Sequence, residues 1–206
     1  MNVLVTGIAG FIGSRLAAKL VEQGDNVYGL VRHSSERELN RIGKIVPKIH
    51  LIEGDLVRFH SVLSAVETYD PNIVFHLGAL TPVRLSFDDP YPYIGINFDG
   101  TVNLVHSIVK QSPNTRLIAA STAEVYGWQP SDRAILESAL LNPASPYAVS
   151  NSGRGSVYPN GEQDLSPPRN CNETDQQLWQ GLGERLLHRV FDLKDVGGRD
   201  VLYRRA

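Results

Sequence analysis

Val3-Leu4-Val5-Thr6-Gly7-Ile8-Ala9-Gly10-Phe11-Ile12-Gly13 decides the fold. The apolar run Val3, Leu4, Val5 reads as a buried parallel strand. Three glycines follow at positions 7, 10 and 13. Phe11, Ile12, Leu16, Ala17, Leu20 and Val21 then recur at helical spacing. A strand feeding a glycine turn feeding a helix places free backbone N–H groups and a positive dipole end where a pyrophosphate can sit. In this arrangement Gly7 permits the tight turn, Gly10 lets the backbone approach the phosphates, and Gly13 allows close helix–strand packing.

Working outward, strand and helix patterns alternate through residue 126. Strands are predicted at 3–6, 27–31, 49–52, 73–77 and 116–120. Helices are predicted at 12–23, 35–42, 60–68 and 97–111. This alternation predicts an α/β fold, a Rossmann-like doubly wound parallel sheet with right-handed crossovers. A ligand is then expected at the carboxyl ends of the strands.

The composition excludes several classes. A net charge of −2 with 20% charged residues gives no footprint for nucleic acid or an anionic membrane surface. Cys171 is the lone cysteine, so no internal disulfide forms. No stretch reaches 18 apolar residues, and the opening residues show no signal-peptide pattern. A cytoplasmic location is the expectation, and no metal site is expected.

The spacing G-x-x-G-x-x-G in Thr6–Gly13 resembles that of the extended short-chain dehydrogenase/reductase family, the sugar-nucleotide epimerases and dehydratases. The resemblance covers residues 1–150, expected to form an NAD(P)-binding domain. It implies a nucleotide-sugar substrate and a homodimer or tetramer. After the second strand, where an Asp or Glu would grip a ribose 2′-hydroxyl, the chain has Val31-Arg32-His33-Ser34-Ser35. A guanidinium with two hydroxyls suits a 2′-phosphate, so NADP is favoured over NAD. The same segment resembles that of GDP-mannose 4,6-dehydratases, which implies NADP as cofactor and GDP-mannose as substrate.

Further matches follow along the chain. Gly54-Asp55-Leu56 resembles the family segment whose Asp and Leu contact the adenine; Asp55 capping the next turn is the equal alternative. His76-Leu77-Gly78-Ala79 resembles the family's H-L-A-A, whose backbone at Leu77 and Ala79 would line the cofactor. His76 itself reads as structural. Asn97 matches a position that supports the active site, with a helix N-cap as the alternative. In Ser121-Thr122-Ala123-Glu124, Thr122 sits where the family binds the sugar's C4 oxygen. Glu124 sits where dehydratases keep the base for the C5 proton. This favours a 4,6-dehydratase over a 4-epimerase or a 4-keto reductase. Ser145-Pro146-Tyr147-Ala148-Val149-Ser150 matches the start of S-P-Y-x-x-S-K, whose Tyr transfers a proton and also lines the cofactor. The Lys of that motif lies one helical turn on and favours the phenolate by its charge. Position 151 is Asn, which brings no charge, so impaired turnover by this chain is the expectation.

After Ser150 the pattern breaks. Residues 151–180 are rich in Gly, Pro, Asn and Gln and show no period, so they are expected to form an irregular tail that leaves the fold incomplete. Codon arithmetic suggests an out-of-frame translation. Taking the last two bases of each codon with the first of the next, Tyr158 yields Ile or Thr, Asn160 yields Met or Thr, and Trp179-Gln180 yields Gly. With free synonymous choice, residues 152–180 can be read as AGEEAYIQMASRTYRLPVIVMRPTNNYGR, which is similar to what the family places after its Lys. Residues 151–206 are therefore expected to replace the rest of the fold and the substrate lobe, leaving low solubility or a non-catalytic dinucleotide-binding fragment.

Overall fold

The computed structural model describes residues 1–32, 39–128, 135 and 139–156. One compact unit comprises Met1–Gly127 with Leu140–Gln163. Of a second unit, Trp128–Ala139 with Asp164–Ala206, only residues 128, 135 and 139 are described. The account below concerns the first.

Five parallel strands form one sheet in the order β3-β2-β1-β4-β5. They are β1 (Asn2–Thr6), β2 (Asn26–Val31), β3 (His50–Glu53), β4 (Ile73–His76) and β5 (Arg116–Ala119). Leu4 pairs in register with Tyr28 on one side and Val74 on the other. The helices are α1 (Phe11–Glu22), α2 (Phe59–Tyr69), α3 (Gly100–Gln111) and α4 (Pro146–Ser156). The sheet is Rossmann-like, as the alternation predicts.

The strand patterns explain the layering. Val3 to Thr6 and all of β4 are buried, as expected of central strands covered on both faces. On one face Leu4, Leu30 and Val74 pack with Val62, Ala65 and Val66 of α2 and with Leu104 and Ile108 of α3. Val3, Val5, Ile73 and Phe75 have the opposite parity and point to the other face. Each fully buried Leu or Val here contributes roughly 1.5–3 kcal/mol of transfer free energy. The strand order reverses between β1 and β4, which opens a crevice above their carboxyl ends.

The structure shifts some predicted elements. The first half of the predicted helix at 35–42 lies outside the described residues; in its second half residues 40–45 form turns, leading to a 3-10 turn at Val46–Lys48. The helix predicted to start at Asn97 has a longer approach: a helical turn at Tyr91–Tyr93, then a π segment at Ile94–Asp99, then α3. An apolar period of 3.6 cannot register a wider π turn, because each such turn shifts the phase. Helix α4 runs six residues past Ser150, ending at Ser156. Residues 151–156, expected to begin the irregular tail, are therefore helical, carried on by the turns that start at Pro146; the rest of the expected tail, from 157, lies outside the described residues.

Candidate functional site

The glycine turn is built by sterics. Gly7 has φ +70°, and a Cβ there would lie 2.8 Å from Gly78 N and from the Leu77 carbonyl carbon. A Cβ on Gly13 would overlap the carbonyl oxygen of Gly7. The turn, α1 and the loop after β4 therefore approach as only glycine permits. Gly10 is the N-cap of α1, with extended backbone and no side-chain cap. The Gly10 N–H donates to Gly7 O at 2.9 Å, and Ser14 N–H donates to Gly10 O at 3.0 Å. Among the described residues other than its chain neighbours, only Gly7 O lies within 4 Å of where a Gly10 Cβ would be. The open helix end thus presents bare backbone and a positive dipole end to the crevice. Ile12 lies in the same first turn; Phe11 is exposed, with the Arg15 guanidinium 3.7 Å above its ring. Arg32 lies just past the end of β2, and Arg41 donates to Ala9 O at 3.4 Å.

The next loops line the same edge. After β3, Asp55 accepts from Val57 N–H at 3.2 Å, which is the turn-capping geometry. Leu56 is buried in the core, wedged beside Gly78 and Gly100, each of whose Cβ would come within 2.9 Å of it. Leu77 and Ala79 lie on the loop after β4, half-buried.

Beneath this loop runs a buried polar chain. Gly78 N–H donates to Thr6 Oγ1 at 3.0 Å, and Thr6 Oγ1 meets His76 Nδ1 at 2.7 Å. His76 Nε2 meets Thr101 Oγ1 at 3.0 Å, and Thr101 O–H donates to Asn97 O at 2.6 Å. His76 is fully buried, and burial, aided by the positive charge of Arg154, holds its pKa well below the usual value. Asn97 is not an N-cap. From the π segment its side chain accepts from Leu80 N–H at 2.8 Å and donates to Leu80 O at 3.1 Å and Ser150 Oγ at 3.0 Å.

Past β5, Thr122 caps the 3-10 turn Ala123–Tyr126, accepting from Glu124 N–H at 3.3 Å. Thr122, Glu124 and Tyr147 are half-buried. Tyr147 opens α4, which packs on this turn and on the π segment. Its N–H donates to Ser86 Oγ at 3.1 Å, and its ring meets Tyr93 edge-on with centroids 6.3 Å apart. Asn151 is 2% exposed and donates to the Tyr147 backbone carbonyl at 2.9 Å. Arg154, also 2% exposed, donates to Asn151 Oδ1 at 3.2 Å and to His76 O at 3.5 Å. Sequence reading missed Arg154, Thr6 and Thr101. The signal for Arg154 was the spacing Tyr147, Asn151, Arg154 on one helical face. Among the described residues, no group of three His, Cys, Asp or Glu could hold a metal, and no helix is long and apolar enough to cross a membrane.

A glycine turn at the switch point of a parallel sheet, with a polar Thr/Glu turn and a Tyr-bearing helix across the crevice, defines a Rossmann-type protein of the extended short-chain dehydrogenase/reductase class. The family model for GDP-mannose 4,6 dehydratase matches residues 4–156, and the chain belongs to this family of sugar-nucleotide dehydratases and epimerases. A UDP-glucose 4-epimerase of Mycolicibacterium smegmatis is 34% identical over 166 residues, 80% of this chain and 52% of the relative. A GDP-mannose 4,6-dehydratase of Yersinia enterocolitica is 33% identical over 157 residues, 72% of this chain and 42% of the relative. The solved structure of the dTDP-glucose 4,6-dehydratase DesIV of Streptomyces venezuelae, with NAD bound, superposes with a TM-score of 0.68 at 28% identity, covering 76% of this chain and 50% of that one. The chain thus spans about half the length of these relatives, or less.

Proposed function

We propose that this chain is the dinucleotide-binding part of an NADP-dependent sugar-nucleotide 4,6-dehydratase acting on GDP-mannose, and that in its present form it binds the dinucleotide without efficient turnover. The observation that carries the reading is the glycine turn packed against Leu77 and Gly78 at the sheet's switch point, where any Cβ on Gly7 or Gly13 would collide with backbone. Gly7, Gly10, Phe11, Ile12 and Gly13 hold the pyrophosphate. Asp55 and Leu56 flank the adenine, and Arg32, past the end of β2, takes the 2′-phosphate. The bound nicotinamide supplies hydride chemistry at the sugar's C4 and C6. Thr122 hydrogen-bonds the C4 oxygen, Tyr147 takes the C4 hydroxyl proton, and Glu124 takes the C5 proton as water leaves C6.

Asn151 supports the impaired reading. Its amide donates to the Tyr147 backbone carbonyl, and it brings no charge to favour a phenolate. The similarity to a 4-epimerase keeps that activity as the second reading, since Thr122 and Tyr147 serve it without Glu124. The test is isothermal titration with NADP and NAD, then an assay of NADPH absorbance and 4-keto sugar formation with GDP-mannose. Tighter binding of NADP with no turnover is expected. Absence of binding to either dinucleotide would overturn the proposal; brisk conversion of GDP-mannose would overturn the impairment. Sequencing the coding DNA from codon 140 decides the tail: a second frame restoring a Lys four residues after Tyr147 marks a shifted gene.

A further inference from the structure

We propose that His76 is a positioning residue for the far half of the dinucleotide, acting as a neutral, tautomer-fixed link between β1, the loop after β4 and the π segment; this rests on the dinucleotide-binding reading. The hydrogen-bond bookkeeping leaves one arrangement. Thr101 spends its only proton on Asn97 O at 2.6 Å. Its oxygen can therefore only accept from His76, so the ring proton sits on Nε2. His76 Nδ1 is then an acceptor, and the proton in the 2.7 Å contact comes from Thr6. Thr6 Oγ1 in turn accepts from Gly78 N–H. Every proton along Gly78, Thr6, His76, Thr101 and Asn97 points the same way.

The ends of this chain are what matter. At one end Gly78 belongs to the loop against which Gly7 packs. At the other end Asn97 grips both Leu80 N–H and Leu80 O and donates to Ser150, which donates to Tyr147 O at 2.8 Å. His76 thus fixes both sides of the loop Gly78–Leu80 and couples it to the helix bearing Tyr147. With the pyrophosphate over β1, one half of a dinucleotide extends toward β2 and the other toward β4 and β5. The loop held by His76 flanks the second half directly and touches the first only through the packing of Gly78 on Gly7 and Leu56.

The experiment has two readings on the whole chain. Nitrogen chemical shifts of the ¹⁵N-labelled protein at pH 7 report which ring nitrogen of His76 carries the proton. Titrations with NADP and with the adenosine half alone (adenosine 2′,5′-bisphosphate) are made on the unmodified chain, Thr6→Val and Thr101→Val. A proton on Nε2 is expected. In Thr6→Val, which leaves Gly78 N–H without its acceptor, NADP affinity should fall about tenfold and fragment affinity by a clearly smaller factor, so that the ratio changes. A uniform loss of folding would lower both together. A proton on Nδ1, or an unchanged NADP-to-fragment ratio in both variants, overturns the proposal. If the variants do not fold, the nitrogen shifts of the unmodified chain decide. If the unmodified chain binds neither ligand, the dinucleotide-binding reading falls with everything resting on it; an unchanged ratio removes only the role of His76.

Discussion

Replacing Asn151 by Lys would restore the family's motif and is expected to destabilise this chain. Asn151 is buried, donates to Tyr147 O, and accepts from Arg154 at 3.2 Å. A lysine reaches farther than an asparagine and would bring its ammonium to about 5 Å from the guanidinium. Two like charges at that distance in an effective dielectric near 20 repel by about 3 kcal/mol. Against a typical total of roughly 5–15 kcal/mol, this is a large share. For a domain of this size it corresponds to a melting shift of about 6–12 °C. Thermal melts by circular dichroism of Asn151→Lys, Arg154→Met and the double variant form the assay. The double variant should recover most of the loss, with a coupling of about 2 kcal/mol. An Asn151→Lys protein melting within ~2 °C of the parent, or additive single effects, would refute the argument. Asn151→Lys alone is also expected to leave GDP-mannose unconverted; turnover by that variant would sink the out-of-frame account of the tail.

Three more outcomes are expected. Gly13→Ala drives a methyl into the Gly7 carbonyl, so it should abolish dinucleotide binding in a titration and cost about 1–3 kcal/mol of stability by urea melts, despite alanine's better helix propensity. Asn97→Ala leaves Leu80 N–H and O without their side-chain partner, so a urea midpoint shift worth about 3 kcal/mol should follow. The depressed pKa of His76 means the unfolded chain takes up a proton that the native chain refuses once pH drops below about 6.5. Stability is therefore fully present above that value and declines as pH falls, by up to about 1.4 kcal/mol per unit; His76→Gln should flatten that slope between pH 7 and 5.

The backbone of this fold was written in local patterns, and its polar interior was not. All five strands were legible because central parallel strands are continuous apolar runs, and Val3-Leu4-Val5 and Ile73-Val74-Phe75 are such runs. The glycine turn was legible because its spacing follows from a backbone that has no room for Cβ atoms. The π segment escaped because hydrophobic period is blind to an extra residue in one turn. The partners of His76 escaped for a different reason: Thr6 lies 70 positions away, and only the fold sets them 2.7 Å apart. Arg154 was passed over because its segment is poor in apolar residues, yet the helical face set by Tyr147 and Ala148 carries it inward.

At the edge of the sheet away from the glycine turn, three asparagines hold the strand starts together. Asn72 Oδ1 accepts from Asn2 N–H at 2.8 Å, Asn26 donates to Asn2 Oδ1 at 3.1 Å, and Asn2 donates to Tyr69 O at 3.1 Å. This ladder adds to the backbone pairing that aligns β1, β2 and β4, at the end of the sheet far from the crevice. None of these asparagine bonds involves a loop at the opposite end, so a change in those loops leaves this set of contacts in place. The chain is built like a chassis with its bolts at the rear, so a change of chemistry at the front need not be a change of frame.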